Sequence, residues 1–307
     1  MILGFDTSNY KTSVALYDDV TGFWRSEGKF LEVDRGLLGL RQSEALFQHV
    51  KAMPEVIAHF SDEMINISAI GYSDKPREVE GSYMPCFLAG KSLAKSFSAL
   101  LSVPAYSFSH QQGHLASALF SINRLDMLKA PFLAWHLSGG TTELLLVKPD
   151  NKLMFTATII GGTKDISAGQ AIDRCGVALS MPFPAGKYVE ESAILSVNTD
   201  CFTARCDEGY FSLSGLENKF KAMIERGERS EDICRFTLCS VSSTVLKVTK
   251  WAMQKYSGLP VVFSGGVSVC SILREYFKMD NVFFAEKGLG GDNALGAAIL
   301  AQMEMNR

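Results

Sequence analysis

Residues 2–17 read ILGFDTSNYKTSVALY and residues 132–147 read FLAWHLSGGTTELLLV. Each stretch is an apolar run, a short turn of hydroxyl or glycine residues, and a second apolar run. Apolar runs bounded by turn residues are the pattern of buried strands, so the chain carries one kind of hairpin twice. The turns hold groups that suit an anion. Thr7, Ser8 and Thr12 offer hydroxyls in the first, and Ser138, Gly139, Gly140, Thr141 and Thr142 line the second. Glycine lets backbone N–H groups come close to a phosphate. A hairpin repeated this far apart suggests two similar lobes facing one nucleotide, although two unrelated hairpins would look the same.

The chain is long enough for two cores: 307 residues, 47% apolar and 21% charged, the balance of an ordinary folded protein. A net charge of −3 excludes a bulk basic footprint for nucleic acid but not a local strip. The seven cysteines, 86, 175, 201, 206, 234, 239 and 270, form no CxxC pair. Buried thiols in a reducing cytoplasm are expected. The N-terminus enters a strand at once, without the basic start of a signal peptide. No apolar run approaches a membrane span. The expected location is cytoplasmic, with no membrane partner.

Strands are expected near 2–7, 12–17, 21–26, 68–73 and 103–108, with helices near 41–59, 83–101 and 110–120. A second series follows: strands near 131–138, 142–148 and 153–159, and helices near 166–180, 186–196, 214–226 and 231–256. A strand at 259–264, a helix at 268–278, a strand at 281–285 and a helix at 292–304 close the chain. Three strands followed by alternating helices and strands, twice over, argue for two α/β lobes. The expected division is residues 1–108 with 286–307, the last helix returning to the first lobe, and residues 109–285.

His110-Gln111-Gln112-Gly113-His114 is the sharpest candidate site. Residues four apart share a helix face, so two imidazoles there can chelate one metal. The same spacing also suits two polar helix residues with satisfied hydrogen bonds. Asp292, in a glycine-rich loop before an apolar helix, is a candidate third ligand or simply an N-cap. Ser264-Gly265-Gly266-Val267-Ser268 lies between an apolar strand and a helix, where a phosphate or ribose can sit. Asp165 reads as an N-cap. Asp173 lies too deep in its helix for that and could hold a ribose hydroxyl or orient a metal-bound water. No P-loop and no Ser/His/Asp triad is present.

Taken in order, these segments resemble the TsaD family, the threonylcarbamoyl transferases of tRNA modification once labelled O-sialoglycoprotein endopeptidases. The resemblance implies the sugar kinase/Hsp70/actin (ASKHA) fold, two duplicated RNase H-like lobes with an interlobe nucleotide cleft. It implies that His110, His114 and Asp292 hold one divalent metal ion, iron or zinc. It places His136, Leu137, Ser138, Gly139 and Gly140, with Asp173, Gly186, Gly265 and Gly266, at an adenine nucleotide or carbamoyl-adenylate. Cys270 occupies the family's base-binding asparagine position. The implied reaction moves a threonylcarbamoyl group from threonylcarbamoyl-AMP to N6 of adenine 37 in tRNA. The implied partners are tRNA and a TsaB-like or other fold-related subunit, or a second copy of the chain.

Departures from the family pattern mark a divergent paralogue. Asn9-Tyr10-Lys11 replaces an acidic run, Gln112 a glutamate, Thr141 a histidine, and Glu80–Pro85 a Gly-Pro-Gly turn. Two further readings share the fold: a catalytically silent nucleotide-binding partner subunit, and an ATPase or sugar kinase with Asp6 organising magnesium. Peptidase action has little support, because His110-x3-His114 lacks the glutamate base of His-Glu-x-x-His.

Overall fold

A computed structural model describes residues 1–8, 10–33, 40–61, 66–286, 288 and 293–307 of the chain. The backbone divides into two compact units. Residues 1–120, 149–157 and 288–307 form the first, and residues 121–148 and 158–287 the second. The edge at Phe120/Ser121 leaves the helix of His110 and His114 in the first unit, twelve residues beyond the expected division after residue 108.

The first sheet opens with three antiparallel strands, β1 (Ile2–Ser8), β2 (Lys11–Asp18) and β3 (Phe23–Phe30). Helix α1 (Gln42–Ala58) follows. Then β4 (Ala69–Lys75) joins parallel to β1, helix α2 (Leu88–Leu101) crosses, and β5 (Ala105–Ser109) joins parallel to β4. Helix α3 (His110–Ser121) leaves directly from β5. The sheet order is β3-β2-β1-β4-β5.

The second series repeats the scheme. β6 (Phe132–Leu137), β7 (Thr142–Asp150) and β8 (Met154–Thr163) are the opening strands. Helices α4 (Ala168–Ala178) and α5 (Gly186–Ala193), the short pair β9 (Cys206–Asp207) and β10 (Tyr210–Phe211), and helices α6 (Ser214–Glu225) and α7 (Ser230–Lys255) follow. β11 (Val261–Ser264), α8 (Ser271–Glu275), β12 (Val282–Phe284) and α9 (Asn293–Met305) complete the chain. The sheet order is β12-β11-β6-β7-β8-β10-β9. Within it, β6 and β7 are antiparallel, while β11 joins β6 and β12 joins β11 in parallel. Read as β8-β7-β6-β11-β12, this is the first sheet's order again, so the expected two-lobed, duplicated α/β fold holds.

Most expected elements form, and the differences have local causes. The helix expected from residue 83 starts at Leu88, because Pro85 opens a 3-10 turn, Pro85–Phe87, ahead of it. The helix expected at 268–278 is split into a 3-10 turn, Gly266–Val269, and the short α8. β9 and β10 were not expected. Each has two residues, and the pair turns through Glu208 and Gly209, both at positive φ. All seven cysteines are thiols. No helix among the described residues is long and apolar enough to cross a membrane.

Helix α9 belongs to the first unit and is buried along an unbroken run from Asn293 to Gln302. Its backbone lies directly on the sheet. A Cβ on Gly4 would stand 2.1 Å from the Ala294 carbonyl oxygen, and one on Gly71 2.0 Å from that of Ala297. No side chain fits there, so Gly71→Ala forces helix and sheet apart. The variant is expected to lose roughly 2–4 kcal/mol of unfolding free energy in a denaturant titration.

Candidate functional site

The histidine helix is set in place by its own first turn. Ser109 is the N-cap: its hydroxyl accepts from Gln112 N (3.3 Å), and Gln112 Oε1 accepts from Ser109 N (2.9 Å) and Oγ (3.2 Å). This is a Ser-x-x-Gln capping box. Gln112, 3% exposed, then donates from Nε2 to the carbonyls of Leu153 (2.8 Å) and Phe155 (3.0 Å). An amide can do both jobs, whereas an ionised glutamate has no proton for the two carbonyls. The residue between the imidazoles is thus a structural pin.

His110 and His114 share one face of α3, their ring centroids 4.5 Å apart. Behind them stands Asp6 of β1, 1% exposed, whose Oδ2 meets His110 Nδ1 at 2.9 Å while Oδ1 accepts from Ser8 N at 3.0 Å. Burial by itself would raise the Asp6 pKa. The charge and hydrogen bond of His110, with the charge of His114, outweigh it and bring the carboxyl to about 2. A carboxylate on Nδ1 fixes the ring and leaves Nε2 as the nitrogen for a cation, the arrangement common behind metal-bound histidines.

Strand alternation divides the hydroxyls of the β1–β2 hairpin between two faces. Asp6 pairs with Ser13 and Ser8 with Lys11. These four, with Tyr10, Phe30, His110, His114, Gly288 and Asn293, line a cavity of about 370 Å3. Thr7 and Thr12 pair on the opposite face and are fully buried. Thr7 donates to the Cys86 carbonyl (3.0 Å) and accepts from Gly90 N (3.1 Å). Thr12 meets Nδ1 of the buried His49 of α1 at 2.8 Å, a ring whose pKa burial lowers. Thr7 and Thr12, expected as anion ligands, therefore anchor the hairpin to the helices, and of the three only Ser8 reaches the cavity.

Two imidazoles with a buried carboxylate behind one of them fit a divalent metal. Among the described residues no cluster of three His, Cys, Asp or Glu side chains closes around a point. Asp292, the expected third ligand, lies outside the described residues.

The nucleotide candidates collect in the second unit. Gly139, Asp173, Gly186, Gly266 and Cys270 line one cavity of about 370 Å3, together with Gly169, Ile172, Pro184, Lys187, Glu190, Leu238, Val267 and Val269. Its floor is built by the start of α4. Ser167 caps that helix through a capping box with Gln170 and donates to the Gly139 carbonyl (2.6 Å). Ala168 N donates to Thr142 Oγ1 (2.8 Å). Gly169 presses so closely on the Ser138–Gly139 backbone that a Cβ would stand 2.6 Å from it. Asp165 does not cap α4. Its carboxylate accepts from Leu213 N (2.8 Å) and Ser214 N (3.1 Å) at the start of α6.

Asp173 Oδ1 accepts from Ala185 N at 2.7 Å and so holds the Pro184–Gly186 turn. Leu137 is buried in the core. His136, Ser138, Gly140 and Gly265 do not line the cavity. Burial, opposed by weaker hydrogen bonds, pushes the Cys270 thiol up to about 11, so it stays protonated near neutrality. Glu190, not anticipated from the sequence, lies one helical turn past Gly186 and accepts from Ser271 N and Oγ, each at 2.7 Å. That i, i+4 spacing was the available signal.

The depressed Asp6 pKa stabilises the fold only while the carboxyl is ionised. Its contribution is complete above the ordinary value of 3.8 and is lost as pH falls through about 2. In metal-free protein, Asp6→Asn is expected to be less stable than the parent by about 2 kcal/mol at pH 4–5, with the gap closing toward pH 2 in urea melts.

Comparison with known proteins gives this geometry a family. A sequence model described as TsaD, tRNA N6-adenosine threonylcarbamoyltransferase, matches residues 43–298. The tRNA N6-adenosine threonylcarbamoyltransferase of Streptococcus pneumoniae (strain D39) is 28% identical over 326 aligned residues, covering 100% of this chain and 93% of its own. Among solved structures, full-length HypF in its phosphate- and nucleotide-bound form has a TM-score of 0.63 at 12% identity, covering 100% of this chain and 56% of HypF. A ROK family glucokinase from Streptomyces griseus, with glucose and AMPPNP, has a TM-score of 0.54 at 12% identity, covering 98% of this chain and 99% of its own. These two likenesses establish the ASKHA-type fold alone. With the family model spanning most of the sequence, the chain belongs to the TsaD family of tRNA N6-adenosine threonylcarbamoyltransferases.

Proposed function

We propose that the protein is a metal-dependent transferase that moves a threonylcarbamoyl group from threonylcarbamoyl-AMP to N6 of adenine 37 in tRNA, or a close variant of that reaction. One observation carries the reading: in a chain of this family, His110 and His114 lie edge to face on one helix face with the buried Asp6 carboxylate on His110 Nδ1. His110, His114 and Asp292 would hold a single iron or zinc ion. A cation there supplies Lewis-acid polarisation of the carbamoyl oxygen and a template for the reactants.

The chain's own residues do the rest. Asp6 fixes the His110 ring, and Gln112 fixes the register of α3. In the second unit, Gly139, Gly266, Asp173, Gly186 and Cys270, which line one cavity, receive the adenylate. Cys270 brings a protonated thiol to the position where relatives present an amide, which weakens its hold on the base. Lys11 adds a positive charge to the His110/His114 cavity where relatives are acidic, and this supports a donor or acceptor diverged from the family's own.

A second reading has its own support. An apolar groove of about 730 Å3 runs between α1 and α2, lined by Leu46, Val50, Met53, Ile57, Leu88, Leu93 and Phe97. It suits a subunit of related fold, and with Lys11, Thr141 and Cys270 it favours a silent partner subunit. The two readings separate in one experiment. Protein purified without oxygen is expected to carry about one iron or zinc per chain and to transfer the acyl group, and His114→Ala to lose both. A parent protein with neither metal nor transfer sinks the first reading. Cys270→Asn is expected to tighten adenylate binding about fivefold by calorimetry, the worth of one hydrogen bond.

A further inference from the structure

Asn293 is the first residue of α9 and lines the His110/His114 cavity, and its side chain carries a buried acceptor with no partner among the described residues. The residue is 8% exposed, it lines the cavity, and its Oδ1 is buried with no hydrogen-bond partner among the described residues. A buried carbonyl oxygen left in that state costs about 1–3 kcal/mol. Such a group in a native fold calls for an explanation, and a bound cation is one.

The backbone holds Asn293 there by close contact rather than by its side chain. Helices α3 and α9 cross at two glycines. A Cβ on Gly296 would stand 2.0 Å from the Gly113 carbonyl oxygen, and one on Gly113 would stand 3.0 Å from that of Asn293. Gly113 lies between His110 and His114, so the contact that seats α9 on α3 brings Asn293 to the imidazole face. Asp6, Ser8, His110 and His114 fill the same cavity. An amide oxygen accepts a cation as readily as a proton donor, and it adds no charge to a site that already holds the Asp6 carboxylate.

We propose that Asn293 is a ligand of the cation held by His110 and His114, giving its side-chain Oδ1 to the coordination shell. The inference rests on the metal reading above and adds to it a residue outside the expected His110, His114 and Asp292 set. It also assigns the cost of the orphaned oxygen to binding, since the acceptor has no partner among the described residues until the ion is bound.

The test uses full-length protein stripped of metal and titrated with Co2+ and Zn2+, alongside thermal melts of the metal-free form. Asn293→Ala is expected to weaken binding of both ions at least tenfold while leaving the metal-free melting temperature unchanged or raised, because it removes an unsatisfied buried acceptor. Asn293→Asp keeps an oxygen at the position and is expected to bind within threefold of the parent or more tightly. The proposal is overturned if both variants bind like a parent that itself binds metal. It is equally overturned if Asn293→Ala lowers the metal-free melting temperature by several degrees, since Oδ1 then has a structural partner. A parent that binds neither ion defeats the metal reading together with this inference, a result distinct from the other two.

Discussion

The first unit is organised by helix α9 lying backbone-on-backbone against its neighbours. Gly4 and Gly71 let it rest on β1 and β4, and Gly113 and Gly296 let it cross α3. Contact this close leaves no room for adjustment, because protein interiors are packed as densely as organic crystals. One rigid seating therefore fixes the sheet, the histidine helix and the start of α9 together. The candidate metal ligands inherit their positions from it. A helix apolar on every side can do this only when buried, and α9 is buried over most of its length.

Strand periodicity then decides what the β1–β2 hairpin can do. Its run of hydroxyl and charged residues looks uniform in sequence, yet successive side chains point to opposite faces. One face carries Asp6, Ser8, Lys11 and Ser13 into the cavity. The other spends Thr7 and Thr12 on Cys86, Gly90 and His49. The hairpin is thus gripped from behind by helix-side partners while its front face stays available for chemistry. Gln112 shows the same economy, since one buried amide caps α3 and ties it to the turn after β7 and the start of β8.

The second unit solves a different problem with similar means. A binding cavity needs open space above a firm floor. Ser167, Ala168 and Gly169 clamp the start of α4 to the Ser138–Gly139 turn, and Asp173 pins the Pro184–Gly186 loop. Cys270, with its protonated thiol, lies on the wall of this cavity.

The sequence by itself determined the duplicated lobes, nearly every strand and long helix, and the pairing of His110 with His114. These follow from local periodicity, which needs no knowledge of distant chain. It could not show that Asp6 stands behind His110, that Asn293 joins the same cavity, or that Glu190 and Gly169 line the cavity of the second unit. It also could not separate Thr7 and Thr12 from Ser8, or show that Asp165 serves α6 while Ser167 caps α4. Those assignments depend on which face of an element meets which neighbour. Residues 6, 110 and 293 converge only because sheet order and glycine-mediated helix crossings bring them together, and contacts across such long sequence separations are set by tertiary packing.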